Sequence, residues 1–187
     1  MTSGRDQEIN VLKLTLRNQL VGYLAGFHNG RNVLSFAANF RYDTYRATFS
    51  LLTHPNFPPA DKLMAEPWVR SQRLHPTLSN LLPEGVLREL MAQALKTHVD
   101  NEFHLLSYLG LDLPGALIAE PMKPEDVPNS IIVMHGTGTV VRFEKTTPAN
   151  KFSLAGVQMK FSMREKDGRY NLPQGDVLGD WIIKTPS

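Results

Sequence analysis

This 187-residue chain contains no cysteine. Its absence excludes disulfide bonds, thiolate zinc sites and cysteine nucleophiles, and it is compatible with a reducing cytoplasm, the location that we expect. The N-terminus lacks the apolar stretch of a signal peptide, and no hydrophobic run approaches the length of a membrane span. The net charge is only +2 and no basic run is present, so composition alone does not argue for binding to nucleic acid or to a membrane.

Familiar catalytic motifs are also missing. No Gly-x-Ser-x-Gly elbow occurs, and the six histidines do not have a metal-binding spacing. His98-Val99-Asp100 imitates the His-x-Asp of a kinase catalytic loop, but the position that should carry a metal-binding asparagine is Leu105. Glu84, Glu89 and Glu102 could act as acid or base groups, but we interpret all three as solvated surface groups. The sequence therefore predicts no catalytic residue and no metal ligand in this chain.

The first forty residues predict an antiparallel meander. Leucines alternate with polar residues over 12–16, which is typical of a half-buried strand, and a second strand is expected over 21–27. Asn29-Gly30 predicts a type I′ hairpin turn, because both residues tolerate a positive φ. A third strand is expected over 33–40.

Helices follow in the middle of the chain. Apolar residues at helical spacing predict a helix over 86–95, and Asp100 is expected to cap a second helix over 101–109 that ends at Gly110. Residues 115–119 are expected to form a buried strand. The proline-punctuated stretch 120–129 is interpreted as a linker, followed by a strand over 131–133.

The last third of the chain carries the strongest local signal. Ser153-Leu154-Ala155-Gly156-Val157-Gln158-Met159-Lys160 is a small loop whose Gly156 would allow close approach of a phosphate, and Trp181-Ile182-Ile183-Lys184 follows as a strand with a terminal lysine. The interval from Gly156 to Lys184 fits two strands, a turn and a return strand, as in a kinase N-lobe. Taken alone, the loop is typical of a β-turn and the lysine of a solvated strand end.

The order of segments from about Val11 to Ser187 resembles the N-terminal part of HipA-like bacterial toxin kinases of type II toxin–antitoxin pairs. Leu78-Ser79-Asn80-Leu81-Leu82-Pro83-Glu84-Gly85 is similar to the family's Phe-x-Asn-Leu-Leu-Pro-[Asp/Glu] segment. The loop at 153–160 is similar to its Ser-[Val/Leu]-Ala-Gly-x-Gln-x-Lys, and 182–186 to its Ile-Ile-Lys-x-Pro. Phe103 to Gly110 and Gly115-Ala116 match further segments. His135-Gly136-Thr137-Gly138 matches nothing in the family pattern.

The resemblance implies an α+β fold with an antiparallel-sheet N-terminal subdomain and at least two helices, over residues 1–128. The start of a protein-kinase-like N-lobe, over 129–187, is expected to follow it. It also implies roles for single residues. The phosphates of ATP would be lined by the loop residues Ala155, Gly156, Val157, Gln158, Met159 and Lys160, and Lys184 would contact the α- and β-phosphates. Ser153 would be a regulatory phosphorylation site.

The implied activity is transfer of the γ-phosphoryl group of ATP to a protein serine. ATP and Mg²⁺ would be the cofactors, with the metal ligands outside this chain, so we expect the chain alone to be inactive. The implied partners are a HipB-type antitoxin, through which DNA is contacted only indirectly, and an aminoacyl-tRNA synthetase as substrate. Two alternatives stay open. One is a non-catalytic module that docks on an antitoxin or a separate kinase core. The other is an unrelated α+β ligand-binding domain in which Gly156 and Lys184 are structural.

Overall fold

The computed structural model describes residues 8–134, 139–140, 160–171 and 180–184. Their main feature is a sheet in the order β4-β3-β2-β1-β5, with all five strands antiparallel to their neighbours. These strands are β1 (Glu8–Leu16), β2 (Gln19–Phe27), β3 (Arg31–Phe36), β4 (Trp68–Ser71) and β5 (Leu117–Pro121). A short strand, β6 (Thr139–Val140), adds to β1 in parallel. The predicted α+β class and antiparallel sheet are confirmed.

Six helices accompany this sheet in the described part of the chain: α1 (Ala38–Tyr42), α2 (Ala60–Ala65), α3 (Pro76–Ser79), α4 (Gly85–Ala94), α5 (Glu102–Leu109) and α6 (Asn129–Met134). Short 3-10 turns occupy Leu51–Thr53 and Pro124–Asp126. A separate three-stranded sheet has the order β8-β7-β9, from β7 (Lys160–Lys166), β8 (Arg169–Asn171) and β9 (Trp181–Lys184). None of the helices in these ranges is both long and apolar enough to cross a lipid bilayer.

Strand β1 has buried side chains on both of its faces. Leu12 and Leu14 are fully buried in the larger core cluster, which also contains the apolar side chains of α3, α4 and α5. Ile9 and Val11 point to the opposite face and pack with Val127. The period-2 alternation of a strand separates these two sets, so β1 lies between two apolar layers.

The type I′ turn geometry occurs at the first hairpin and not at the second, where it was predicted. Arg17 and Asn18 between β1 and β2 both have positive φ values, 50° and 65°, as a type I′ turn requires. Between β2 and β3 only Gly30 has a positive φ, 83°, and the Asn29 side chain accepts a hydrogen bond from the amide of Arg31. The type I′ prediction for Asn29-Gly30 is therefore wrong, because a three-residue loop joins these strands.

The predicted third strand is too long. It ends at Phe36, and the chain turns into α1, which brings Phe40 back into the core with its ring stacked 6.3 Å from that of Phe36. An extended chain would point both side chains to the same face of the sheet but about four residues apart along it, so the helical turn is what joins the two rings.

Two further predictions are wrong, one about the cap of α5 and one about the secondary structure of residues 131–133. Asn101, and not Asp100, caps α5, because its side chain accepts the amide of His104, while the Asp100 carboxylate pairs with Arg73. Residues 131–133 are helical in α6, where Ile131 packs on the sheet.

The predicted helix at α4 and the strand at β5 are confirmed. The proposed linker begins inside β5, and its Val127 is buried.

Gly110 generates the first prediction. A Cβ atom at this position would lie 1.9 Å from the carbonyl oxygen of Ala119 in β5, and backbone cannot move aside cheaply. We expect Gly110→Ala to destabilise the protein by about 1–3 kcal/mol, the usual cost of overpacking a core. Urea unfolding measures this, with Gln93→Ala on the exposed face of α4 as the control. Equal stability of both variants would contradict the close α5–β5 contact.

Candidate functional site

Strands β7 and β9 bring two of the predicted site residues together. Lys160 at the start of β7 is the Cα partner of Lys184 at the end of β9 in an antiparallel ladder. Twenty-three residues separate them in sequence, so only pairing of these strands makes them neighbours. Ser153, Ala155, Gly156, Val157, Gln158 and Met159, together with the His135–Gly138 segment, lie outside the described residues.

Side-chain contacts join the three strands of this small sheet. A tight turn joins β7 and β8, with positive φ at both Asp167 and Gly168. The Arg164 guanidinium lies 3.8 Å from the Asp180 carboxylate. The rings of Tyr170 and Trp181 meet edge to face at 5.9 Å. These contacts connect β8 and β9 across the central strand that begins at Lys160.

A second constellation lies in the N-terminal sheet domain and is centred on Glu102. Its side chain is only 1% exposed. One carboxylate oxygen accepts hydrogen bonds from Arg88 at 2.8 Å and from the Ser79 hydroxyl at 2.9 Å, and the other accepts the amide of Leu74 at 2.8 Å. A buried carboxylate needs such partners, because desolvation without them costs several kcal/mol.

The Glu102 network explains the motif at Leu78–Gly85. Leu78 and Leu82 are fully buried, and the Pro83 carbonyl accepts a hydrogen bond from Arg88 Nε at 2.7 Å. The other side of the same guanidinium contacts Glu102. Arg88 therefore ties the turn before α4 to the start of α5. The motif forms a structural junction in this part of the chain.

Our sequence interpretation of Glu102 as a surface group is wrong. A signal for its burial was present, because Leu105, Leu106 and Leu109 follow it at i+3, i+4 and i+7, on one face of α5. All three leucines are buried. Glu102 occupies the first position of that apolar stripe, and a charge in such a stripe indicates a buried pair.

Burial also shifts three titratable groups. It lowers the pKa of His104, and it lowers that of His75, where the positive charge of Arg70 adds a smaller effect. Burial raises the pKa of the Tyr108 hydroxyl. The His75 ring packs 4.2 Å from that of Trp68, and its Nδ1 accepts the amide of Thr77 at the start of α3. Burial is the main cause of all three pKa shifts. Within the described ranges, no three histidine, aspartate or glutamate side chains form a metal-binding cluster.

Comparison with known proteins matches this chain to one family and to longer relatives. The model of the HipA N-terminal domain matches residues 12–120. A Sinorhizobium fredii protein named "Putative kinase Y4dM" is 34% identical over 96% of this chain and 42% of its own length. A second one, "Putative kinase Y4mE", is 32% identical over 65% of this chain and 32% of its own length. The chain thus spans less than half of these relatives.

A solved structure shares the fold. It is the complex of the toxin HipA with the antitoxin HipB and operator DNA from Shewanella oneidensis MR-1. The match has a TM-score of 0.54 and 20% identity, and it covers 92% of this chain and 40% of that one. At 20% identity, this structural similarity shows that the two chains share a fold and nothing further.

The Glu102–Arg88 pair generates a prediction about stability. Arg88→Met leaves the buried carboxylate without its cation, so we expect a loss of about 3–5 kcal/mol in the free energy of unfolding. Arg73→Met is the matched control, since its pair with Asp100 has a similar length, 2.9 Å, but an exposed arginine. Exposed pairs contribute about 0–1 kcal/mol. Urea unfolding compares the variants, and similar losses for both would contradict the role of burial.

The lowered pKa of His104 generates a prediction about pH. The unfolded chain takes up a proton as the pH falls below about 6.5, whereas the folded chain keeps this imidazole neutral until its lower pKa is reached. The His104 contribution therefore stabilises the fold above that window and is lost as the pH falls through it. We expect His104→Gln to lose less stability between neutral and acid pH than the parent. His98→Gln, at an exposed histidine, controls for removal of an imidazole, and identical pH profiles for parent and His104→Gln would overturn the prediction.

Proposed function

This chain belongs to the family of the HipA N-terminal domain, and on that premise we propose that it forms the N-terminal part of a toxin serine/threonine kinase. The whole protein would transfer the γ-phosphoryl group of ATP to a serine of a protein substrate. The match to two longer relatives named as kinases supports this proposal. The observation that carries it furthest is the pairing of Lys160 with Lys184 on adjacent strands.

The residue types at these strands fit a nucleotide. Phosphoryl transfer depends mainly on positioning and on neutralising the negative charge of the phosphates, and Mg²⁺ shares in that neutralisation when ATP is bound. Two lysines at one register of the β7–β9 ladder provide cationic groups. The backbone amides of residues 155–159 would line the phosphates, with Lys160 at the end of the loop and Lys184 at the α- and β-phosphates. The metal ligands would come from the rest of the protein.

Ser153 would regulate this nucleotide site. A phosphate added there brings a charge of about −1.5 to −2. It would stand seven residues before Lys160, beside the phosphates of the bound nucleotide. Repulsion between these groups would displace the loop and silence the kinase.

We also propose the partners. The structural neighbour was solved with HipB and operator DNA, which supports a HipB-type antitoxin as the partner of this protein, with DNA contacted through the antitoxin. The phosphorylated substrate would be an aminoacyl-tRNA synthetase, as the family resemblance implies. The expected site of action is the cytoplasm.

A non-catalytic docking module is the second candidate function. The family match covers residues 12–120, which end before β7 and the paired lysines. The sheet domain in this range has its own buried core. A module of this kind would bind an antitoxin or a separate kinase core and would not bind ATP itself.

Replacement of Lys184 distinguishes the two functions. In the full-length protein, we expect Lys184→Met to weaken ATP binding about ten- to a hundredfold, because a hydrogen bond to a charged group contributes about 1.5–3 kcal/mol. Lys166→Met is the matched control, since Lys166 lies in the same small sheet but at the end of β7 beside the turn, opposite to Lys160, the partner of Lys184. Calorimetric titration with Mg-ATP measures both. Unchanged affinity in Lys184→Met would reject the nucleotide role and favour the docking module.

A further inference from the structure

The register of strand β9 decides whether Lys184 lies opposite Lys160. Successive residues of a strand alternate between its two faces, so a slip of one residue would move position 184 to the other face of the small sheet. A slip of two residues would keep the face but shift position 184 along β7 by about 7 Å, twice the rise of one residue. A nucleotide site built on these two lysines therefore requires that β9 keeps a single register.

The connection that leads into β9 does not fix this register. Lys166 pairs with Arg169 across the tight turn at Asp167-Gly168, which ties β8 to β7. By contrast, residues 172–180 separate β8 from β9, a stretch too long for a hairpin turn, and β9 pairs with β7 instead of β8. Contacts between side chains must then select the register of β9.

Two side-chain contacts within the described residues act at the N-terminal end of β9. The Arg164 guanidinium lies 3.8 Å from the Asp180 carboxylate, and both side chains are more than half exposed. An ion pair of this kind contributes little, because water and salt screen it. The half-exposed rings of Trp181 and Tyr170 meet edge to face at 5.9 Å, and aromatic pairs in this geometry contribute more than the area that they bury. The aromatic pair is therefore the stronger of the two contacts.

The aromatic pair spans the central strand of the small sheet. Tyr170 in β8 is the Cα partner of Glu165, and Trp181 in β9 is the partner of Met163, two residues away along β7. These positions lie on one face of β7, so the two rings meet over that face. The two lysines belong to the alternate set of positions, on the opposite face. The pair can thus hold β9 in place from the side of the sheet that does not carry the lysines.

We propose that Trp181 and Tyr170 are positioning residues for the nucleotide site. Their contact selects the register of β9 in which Lys184 lies opposite Lys160, and it acts through the strand instead of through ATP. This inference rests on the proposed nucleotide role of Lys184. It gives a function to a half-exposed aromatic pair on the other face of the small sheet.

The first test is the Mg-ATP affinity of the full-length protein, measured by calorimetric titration. We expect Trp181→Ala to weaken binding about two- to tenfold, the equivalent of losing one aromatic pair. The reason is that a slipped register lowers the fraction of molecules that can bind ATP, which reduces the apparent affinity. Tyr170→Ala should have a similar effect, and the double variant should lose no more than either single variant, because both changes remove the same contact.

Two milder variants provide the controls. Trp181→Phe keeps an aromatic ring at this position and should bind Mg-ATP within about twofold of the parent. Arg164→Gln removes the exposed ion pair with Asp180 and should also stay within about twofold. Parent affinity in Trp181→Ala, or an equal loss in either control, would overturn the proposal.

A disulfide tests whether Trp181 acts through the register. Directly opposite residues of an antiparallel pair have Cα atoms about 4.5–5.5 Å apart, so Met163→Cys combined with Trp181→Cys can be cross-linked in this register. The chain has no cysteine of its own to compete. The reduced double variant should bind Mg-ATP as weakly as Trp181→Ala. Oxidation locks the strands, and the affinity should then recover to within about twofold of the parent. Mass spectrometry measures the cross-link independently of ATP.

The possible outcomes distinguish this inference from the proposed function. If no disulfide forms, or if the oxidised protein binds Mg-ATP as weakly as the reduced one, Trp181 does not position the site. If Lys184→Met keeps the affinity of the parent while the disulfide forms efficiently, the register is correct but the nucleotide role is rejected, and the positioning role with it.

Discussion

The buried carboxylate of Glu102 is the contact on which the helical layer of the sheet domain depends. It joins the amide of Leu74, the hydroxyl of Ser79 and the guanidinium of Arg88. These groups come from the segment after β4, from α3 and from α4. Since ionised groups are stable in a core only when they are fully paired, the network holds these segments in one arrangement. Apolar packing alone is less directional and would specify their positions less strictly.

Around that junction the domain follows ordinary packing rules. Strand β1 is buried on both faces, by the large core on one side and by Val127 and Ile131 on the other. The contact of Gly110 with β5 lets α5 approach the sheet closely at its C-terminal end. The sheet and the Glu102 network thus position the start of α5.

Much of the fold was predictable, and the errors have physical causes. The alternation over 12–16 and the helical spacing over 86–95 predicted β1 and α4 correctly, because those patterns record which face is buried. The errors arose where a contact distant in sequence competes with a local preference. Asp100 is a good capping residue, but it pairs with Arg73, and Asn101 takes the cap. In the candidate nucleotide site, the sequence singled out Lys160 and Lys184, and the structure shows that they are partners in the β7–β9 ladder. The nucleotide roles of both lysines, like the roles of residues 153–159, stay predictions.

The sequence by itself determined the family of this chain and its class of fold, because ordered motifs and periodic patterns are local properties. Tertiary structure decided which distant residues meet. The β7–β9 ladder places Lys160 opposite Lys184, and the packing of α5 turns Glu102 from an apparent surface group into a buried one. The reason is common to both, since strand pairing and burial depend on neighbours in space, which spacing along the chain does not specify.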